Sequence, residues 1–442
     1  MVDGHLYKKS NLNFKNKNII YALLSFFLVL SEIFAQNNKS IIKISLNPTN
    51  YNYAVLDLNN YGKSTINAEI EYKWNLKKNN TEYQITLSNA YNSYRTKHKM
   101  SYDGSVDYKI NHWLLLGESF IKYNFTDKTF IRIGQYYRDF SNYLNDNLSS
   151  GSMLISKNAQ AMPKVGLVTD RELTKKMALK FGIAHGFLDK EGYYLEAPAL
   201  HEKFIYLNLK VNNNDKISMG FVHEAMWGGH APETSEYPDT IKDFFKVFIS
   251  ADGPYAPPHA NALGSHLGIW DFYYEKNNGN KKVKLYYQHF FEDTSSLRFA
   301  NNIDGLWGFE LQNYLPNTNV LVEYLDTSHA SGSTAYKNDY YYWNYQYRVG
   351  WVFKDKIIGN PFVNTNYFTE EQSIKLINIG ISGEFNSNIY EIRAFRNIKM
   401  DDSVKLKLSY VKSISKKTST EIFFAVQDGN YGVGLSLSYS MK

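Results

Sequence analysis

Residues 221–233, FVHEAMWGGHAPE, set His223 beside Glu224 and bring in His230 a short way on. These are the residue types of a zinc hydrolase, two imidazoles to hold the ion and a carboxylate to act as base. Two histidines share one helical face only when they stand four residues apart. Trp227 holds that position here, so the signature fails. The flanking KISMGFVHEAM alternates as a strand does, which sends His223 and Glu224 to opposite faces. HEKF, with His201 and Glu202, fails in the same way. A usable zinc site also needs three convergent protein ligands, so no metal is expected. Nor is there a nucleophile elbow: around Ser265 the chain reads LGSHLG, with Leu263 where the first glycine should stand. No catalytic residue and no cofactor is expected.

The same residue types suit sugar recognition. A pyranose presents an apolar C–H face to a flat ring and hydroxyls to amides and carboxylates. Trp227, His230 and Glu233, at a predicted loop tip, are candidates. A second cluster, HFFEDTSSLRFANNIDGLW, offers His289, Glu292, Asp293, Arg298, Asn301, Asn302 and Asp304. Glu292, Asp293, Arg298 and Asp304 are taken from it as glycan candidates. YKNDYYYWNYQY (336–347) is dense enough in tyrosine to act as a stacking surface. Each has a plainer reading. Trp227 and the tyrosines would anchor at a membrane interface, and Arg298 would pair with Glu292 or Asp293 to hold a loop in shape.

Such residues need a scaffold, and composition narrows it. Lys8, Lys9, Lys15 and Lys17 precede the apolar run Ile19–Leu30, with small Ala35 just beyond. That is the pattern of a secretory leader over 1–35, too short for a membrane-spanning helix. Residues 36–442 form the predicted domain. The absence of cysteine excludes disulfides and thiolate metal sites. The net charge of +6 is dispersed without a basic block, so nucleic acid is not an expected partner. A mean hydropathy of −0.44 fits a soluble protein and equally a membrane β-barrel, in which only alternate residues meet lipid. The 37 tyrosines and 7 tryptophans favour the barrel, because such rings collect at membrane interfaces.

The periodicity agrees. In Thr65–Leu76, Ile66, Ala68, Ile70, Tyr72, Trp74 and Leu76 share one face, while Asn67, Glu69, Glu71, Lys73 and Asn75 share the other. A helix would scatter those charges; a strand separates them. The pattern returns at 82–91, 129–138, 177–187, 281–290, 342–353 and 403–412, and in the closing YGVGLSLSYSMK. Turn clusters such as KKNN, VNNND and KNNGN lie between. The prediction is an all-β transmembrane antiparallel barrel in the outer membrane. One stretch departs from the period: Ile241, Phe244, Phe245 and Phe248 recur at helical spacing after Thr240, a capping residue with Asp243 three further on. A short helix is predicted there, packing its Phe face onto its own loop or into the barrel mouth.

An ordered set of segments resembles the Wzi capsule-assembly family: SGSMLISKNAQAMPKVGL (150–167), LHEKFIYLNL (200–209), WGGHAP (227–232), NALGSHLGIWD (261–271), YYQHFFEDTSSLRFANNIDGLWGFEL (286–311) and VEYLDTSHASG (322–332). Phe290 departs from it, standing where the family often has proline. The resemblance implies about 18 strands, a lumen plugged by loops, and a lectin-like, non-catalytic hold on capsular or other surface polysaccharide. Outer-membrane lipid is the other expected partner, and a monomer is expected. Barrel pattern alone fits an open diffusion porin as well.

Overall fold

The computed structural model describes residues 39–47, 67–91, 96–101, 104–109, 114–191, 193–232, 237–253, 262–330, 341–344, 346–354, 356–363, 373–399, 403–427 and 430–441. The expected leader, 1–35, lies outside them, as does Glu233.

Eighteen antiparallel strands form one closed sheet. The first half runs β1 (Lys39–Asn47), β2 (Asn67–Lys78), β3 (Thr81–Tyr91), β4 (Ser119–Thr126), β5 (Thr129–Tyr136), β6 (Met162–Thr174), β7 (Met177–Phe187), β8 (Ala199–Lys210) and β9 (Asp215–Trp227). The second runs β10 (Ser265–Asn278), β11 (Lys281–Phe291), β12 (Gly305–Gln312), β13 (Thr318–Asp326), β14 (Lys375–Phe385), β15 (Asn388–Asn397), β16 (Lys405–Ser413), β17 (Thr418–Gln427) and β18 (Asn430–Met441). A short piece, Leu114–Leu116, extends β4 along β3. β1 closes the ring on β18, with Ile42 opposite Tyr439 and Ile44 opposite Leu437. Closure leaves no unpaired edge.

β18 shows why this sequence makes a wall. Tyr431, Val433, Leu435, Leu437 and Tyr439 are all exposed on the outside. Between them Ser436 is buried and donates to Glu421 at 3.0 Å. Glu421 in turn meets Lys43 at 3.0 Å. Apolar side chains face out and polar ones face in, the reverse of a water-soluble sandwich.

The barrel has two unlike ends. At one end strands join through turns such as Asn79–Asn80, Gly279–Asn280 and Asn386–Ser387. Asn79, Gly279, Asn386 and Ser387 there take left-handed backbone, with φ of 51°, 63°, 50° and 61°, as tight hairpins require. KKNN, VNNND and KNNGN fall at three of these turns. At the other end lie the long connections, including 137–161, 228–264, 292–304 and 327–374.

The hydrophobic core sits in the lumen. Segment 137–161 enters it, burying Phe140, Leu148, Met153, Leu154 and Ile155 against inward Phe204, Val222, Ile269, Leu321 and Phe395. Segment 341–363 adds Tyr342, Tyr347, Trp351 and Phe353. Each large side chain buried this way contributes roughly 1.5–3 kcal/mol. Residues 342–353 therefore do not form the predicted strand beyond Val352–Phe353. Rings packed on every side need no alternation, and their density mimicked a strand.

Among the described residues two helices lie outside the sheet, α1 (Ile241–Phe248) and the single turn α2 (Thr294–Leu297). α1 begins with the expected capping box: Thr240 Oγ1 accepts from Asp243 N at 3.3 Å, and Thr240 N donates to Asp243 Oδ2 at 3.2 Å. Its placement differs from the expectation. Phe244 and Phe248 pack on His201, and Phe248 also lies over Lys203. His201 and Lys203 share the outward face of β8 with exposed Ile205, whereas Tyr206 points inward to Asp271. The helix covers the outer wall; segments 137–161 and 341–363 occupy the lumen.

Candidate functional site at the loop end

The inserted loop is held by carboxylates projecting from the wall. Glu323 on β13 accepts from Ser149 Oγ (2.6 Å), Ser150 N (2.6 Å), Tyr286 OH (2.5 Å) and Asn378 Nδ2 (2.7 Å). Asp271 on β10 accepts from Ser141 Oγ, Tyr206 OH and Tyr143 OH. Gln288 Oε1 accepts from Met153 N at 3.1 Å, and Arg393 donates to the Ser149 carbonyl at 3.0 Å. Lys164–Glu202 and Lys284–Glu310 pair at 3.0 and 2.8 Å, buried on both sides. A buried hydrogen-bond network of this kind fixes one arrangement of the loop. Packing agrees: a Cβ at Gly380 would lie 2.7 Å from Leu148 Cβ, so only glycine lets the loop lie against β14.

Above this plug, Asp304 is the hub. Its Oδ1 meets His329 Nδ1 at 3.0 Å, and its Oδ2 accepts from His329 N (2.8 Å) and Tyr341 OH (2.9 Å). Asn301 Nδ2 donates to Tyr341 OH and to the Phe290 carbonyl, both at 2.7 Å. Burial pushes the Asp304 carboxyl up to about 6 against the pull of those hydrogen bonds. Ligand atoms of Asp304, Asp326 and His329 lie within 4.8 Å of one another. Both Asp326 oxygens also have protein donors, in Ser328 and Tyr324. Hydrogen bonds thus account for the cluster without a cation.

The other candidates scatter. Glu292 Oε1 accepts from Tyr342 N at 2.8 Å, tying two loops together. Asp293 Oδ1 accepts from Ser296 N and Oγ at 2.7 and 2.6 Å, capping α2. Arg298 is exposed and forms no ion pair with Glu292 or Asp293 among the described residues. His230 is half-buried in a bridge to Glu196, with His230 N donating to the Glu196 carbonyl at 3.0 Å. Trp227 corrects its predicted place. It ends β9 on the outer wall, buried beneath Phe244 and His185. The turn after it is built by Gly228 and Gly229, at φ of 61° and 83°.

Sequence reasoning passed over His329 and gave Tyr341 and Tyr347, within 336–347, a stacking role. Tyr341 and Tyr347 are buried, so these rings offer no stacking surface. Tyr341 instead reaches Asp304, and Tyr347 OH reaches the Gly228 carbonyl at 3.2 Å, joining the two predicted clusters through one segment. The signal for His329 was VEYLDTSHASG, where Asp326 and His329 flank a turn.

A closed sheet of this size with an apolar exterior and an interior filled by loops defines a membrane barrel, and such barrels belong to outer membranes. The capsule assembly protein Wzi family model matches residues 148–366, a span holding residues 148–161 of the plug, segment 341–363, most of the mouth and α1. The chain belongs to the Wzi capsule assembly family. Membership supports a capsule-related role and, with the fold, indicates an outer-membrane protein of a kind that is in general non-enzymatic. No curated protein matches the chain. Among solved structures, two mutants of the Rhodopseudomonas blastica porin are similar at 7% identity, with TM-scores of 0.39 and 0.40, over 91% of this chain and 99% of theirs. Likeness at that level carries nothing about permeation.

Proposed function

We propose that this barrel retains capsular or another long surface polysaccharide at the cell surface, as a monomer and without catalysis. The observation that carries the reading is the family match over 148–366. That stretch includes most of the loop residues that fill the lumen and line the mouth, which supports placing the polymer at the loop end. A filled lumen favours holding over passage. Exposed Arg298 and Asp293 and half-buried His230 and Glu292 supply charge and hydrogen-bonding groups at the loop end. Glu233, beside His230 in sequence, belongs to the same proposal.

Purified protein in detergent should bind polysaccharide from its own strain, and Arg298→Ala combined with His230→Ala should weaken binding by at least several-fold. Binding that is absent, together with large stable conductance steps, would replace this reading with a diffusion porin.

A further inference from the structure

The outer wall of a membrane barrel should present apolar side chains, yet near the loop end β7 to β10 turn His185, His201, Lys203, His223 and His266 outward. His201 is nevertheless fully buried and His223 nearly so, because α1 and the residues after it cover them. His223 Nε2 meets His266 Nδ1 at 3.0 Å and Ser250 Oγ at 3.3 Å. Phe244, Phe248 and Val247 form the side of α1 that faces this patch.

A second side of α1 faces away from the barrel and is as apolar as the first. Ile241, Phe245 and Ile249, four residues apart, are 80%, 62% and 70% exposed. Lys242 and Lys246 form the adjoining stripe. Around the axis, then, come barrel, bare hydrocarbon, and positive charge. In water such a stripe is a liability. Here the helix sits on a wall whose Ile183, Phe187, Ile205 and Met219 are exposed: Phe187 meets His185, which meets Phe244, and Ile205 stands two residues beyond Lys203, which lies over Phe248.

We propose that α1 is an interfacial helix: it lies against the barrel where hydrocarbon meets headgroups, with Ile241, Phe245 and Ile249 among acyl chains. Lys242 and Lys246 face the anionic headgroups. The helix replaces a polar patch of wall with its own apolar side, and so completes the lipid-facing belt. The occupant is the bilayer rather than a second protein, because stripe and wall form one surface.

The chain has no cysteine, so single nitroxide labels are unambiguous. Full-length Phe245→Cys, Ile249→Cys, Lys242→Cys and Ile205→Cys would be labelled and reconstituted in vesicles containing anionic lipid. Collision rates would then be read with oxygen, which enters hydrocarbon, and with a water-soluble nickel chelate. The oxygen-to-nickel ratio at positions 245 and 249 should approach that at 205 and exceed that at 242 several-fold. A label at 245 that meets nickel as readily as one at 242 puts the helix in water and overturns the proposal. One shielded from both reagents puts protein on the stripe and overturns it equally. A label at 205 that reads water would remove the membrane placement itself, and the proposal with it.

Discussion

Two buried carboxylates carry most of the structural meaning at the residue scale. Asp304 is held neutral more readily when folded than when unfolded, since burial raises its carboxyl to about 6 from 3.8. A raised carboxyl contributes stability that is full below the unfolded value and is lost as pH rises through the folded one. The melting temperature of the wild type should therefore fall between about pH 4 and pH 6 relative to that of Asp304→Asn, which lacks the titration. Matching slopes for the two proteins in detergent would refute that. Glu323 is different, because it satisfies four buried donors at once. Each donor left without a partner costs about 1–3 kcal/mol. Glu323→Ala should loosen segment 137–161 while the sheet remains closed, adding brief conductance openings in planar bilayers to a wild type that shows almost none. A steadily conducting wild type would contradict the filled lumen.

Elements differ in how far the sequence reveals them. The wall was readable where alternation is clean, as in β2, β3, β7 and β18, because lipid and lumen impose opposite demands on alternate residues. Five outward rings and aliphatics between small inward residues, as in β18, admit one interpretation. α1 was readable because Thr240 and Asp243 cap it locally. Which side of the wall it covers was not, since Phe244 and Phe248 would suit a lumen equally well. The plug was least readable: a segment packed on all sides has no period, and its Tyr-rich partner near 342–353 imitated a strand. Trp227 shows the same limit, for a tryptophan before two glycines reads as a loop tip until Phe244 is found on top of it. Trp227→Ala should release α1 and cost about 3 kcal/mol, within the range for large buried aromatics. Glycan binding at the mouth should not change. A variant with normal heat stability but weakened glycan binding would reverse that assignment.

At the scale of the molecule, a barrel made for passage and one made for holding share their walls and differ inside. Here the interior is a hydrophobic core threaded by hydrogen-bonded carboxylates such as Glu323 and Asp271, and the long connections gather at one end above it. That arrangement places the family-like half of the chain where a surface polymer would lie. The most direct test is to delete the gene in the encapsulated strain and measure how capsular polymer divides between cells and medium. Total polymer should be unchanged and most of it should move to the medium. Polymer that stays bound to the deletion strain would contradict it.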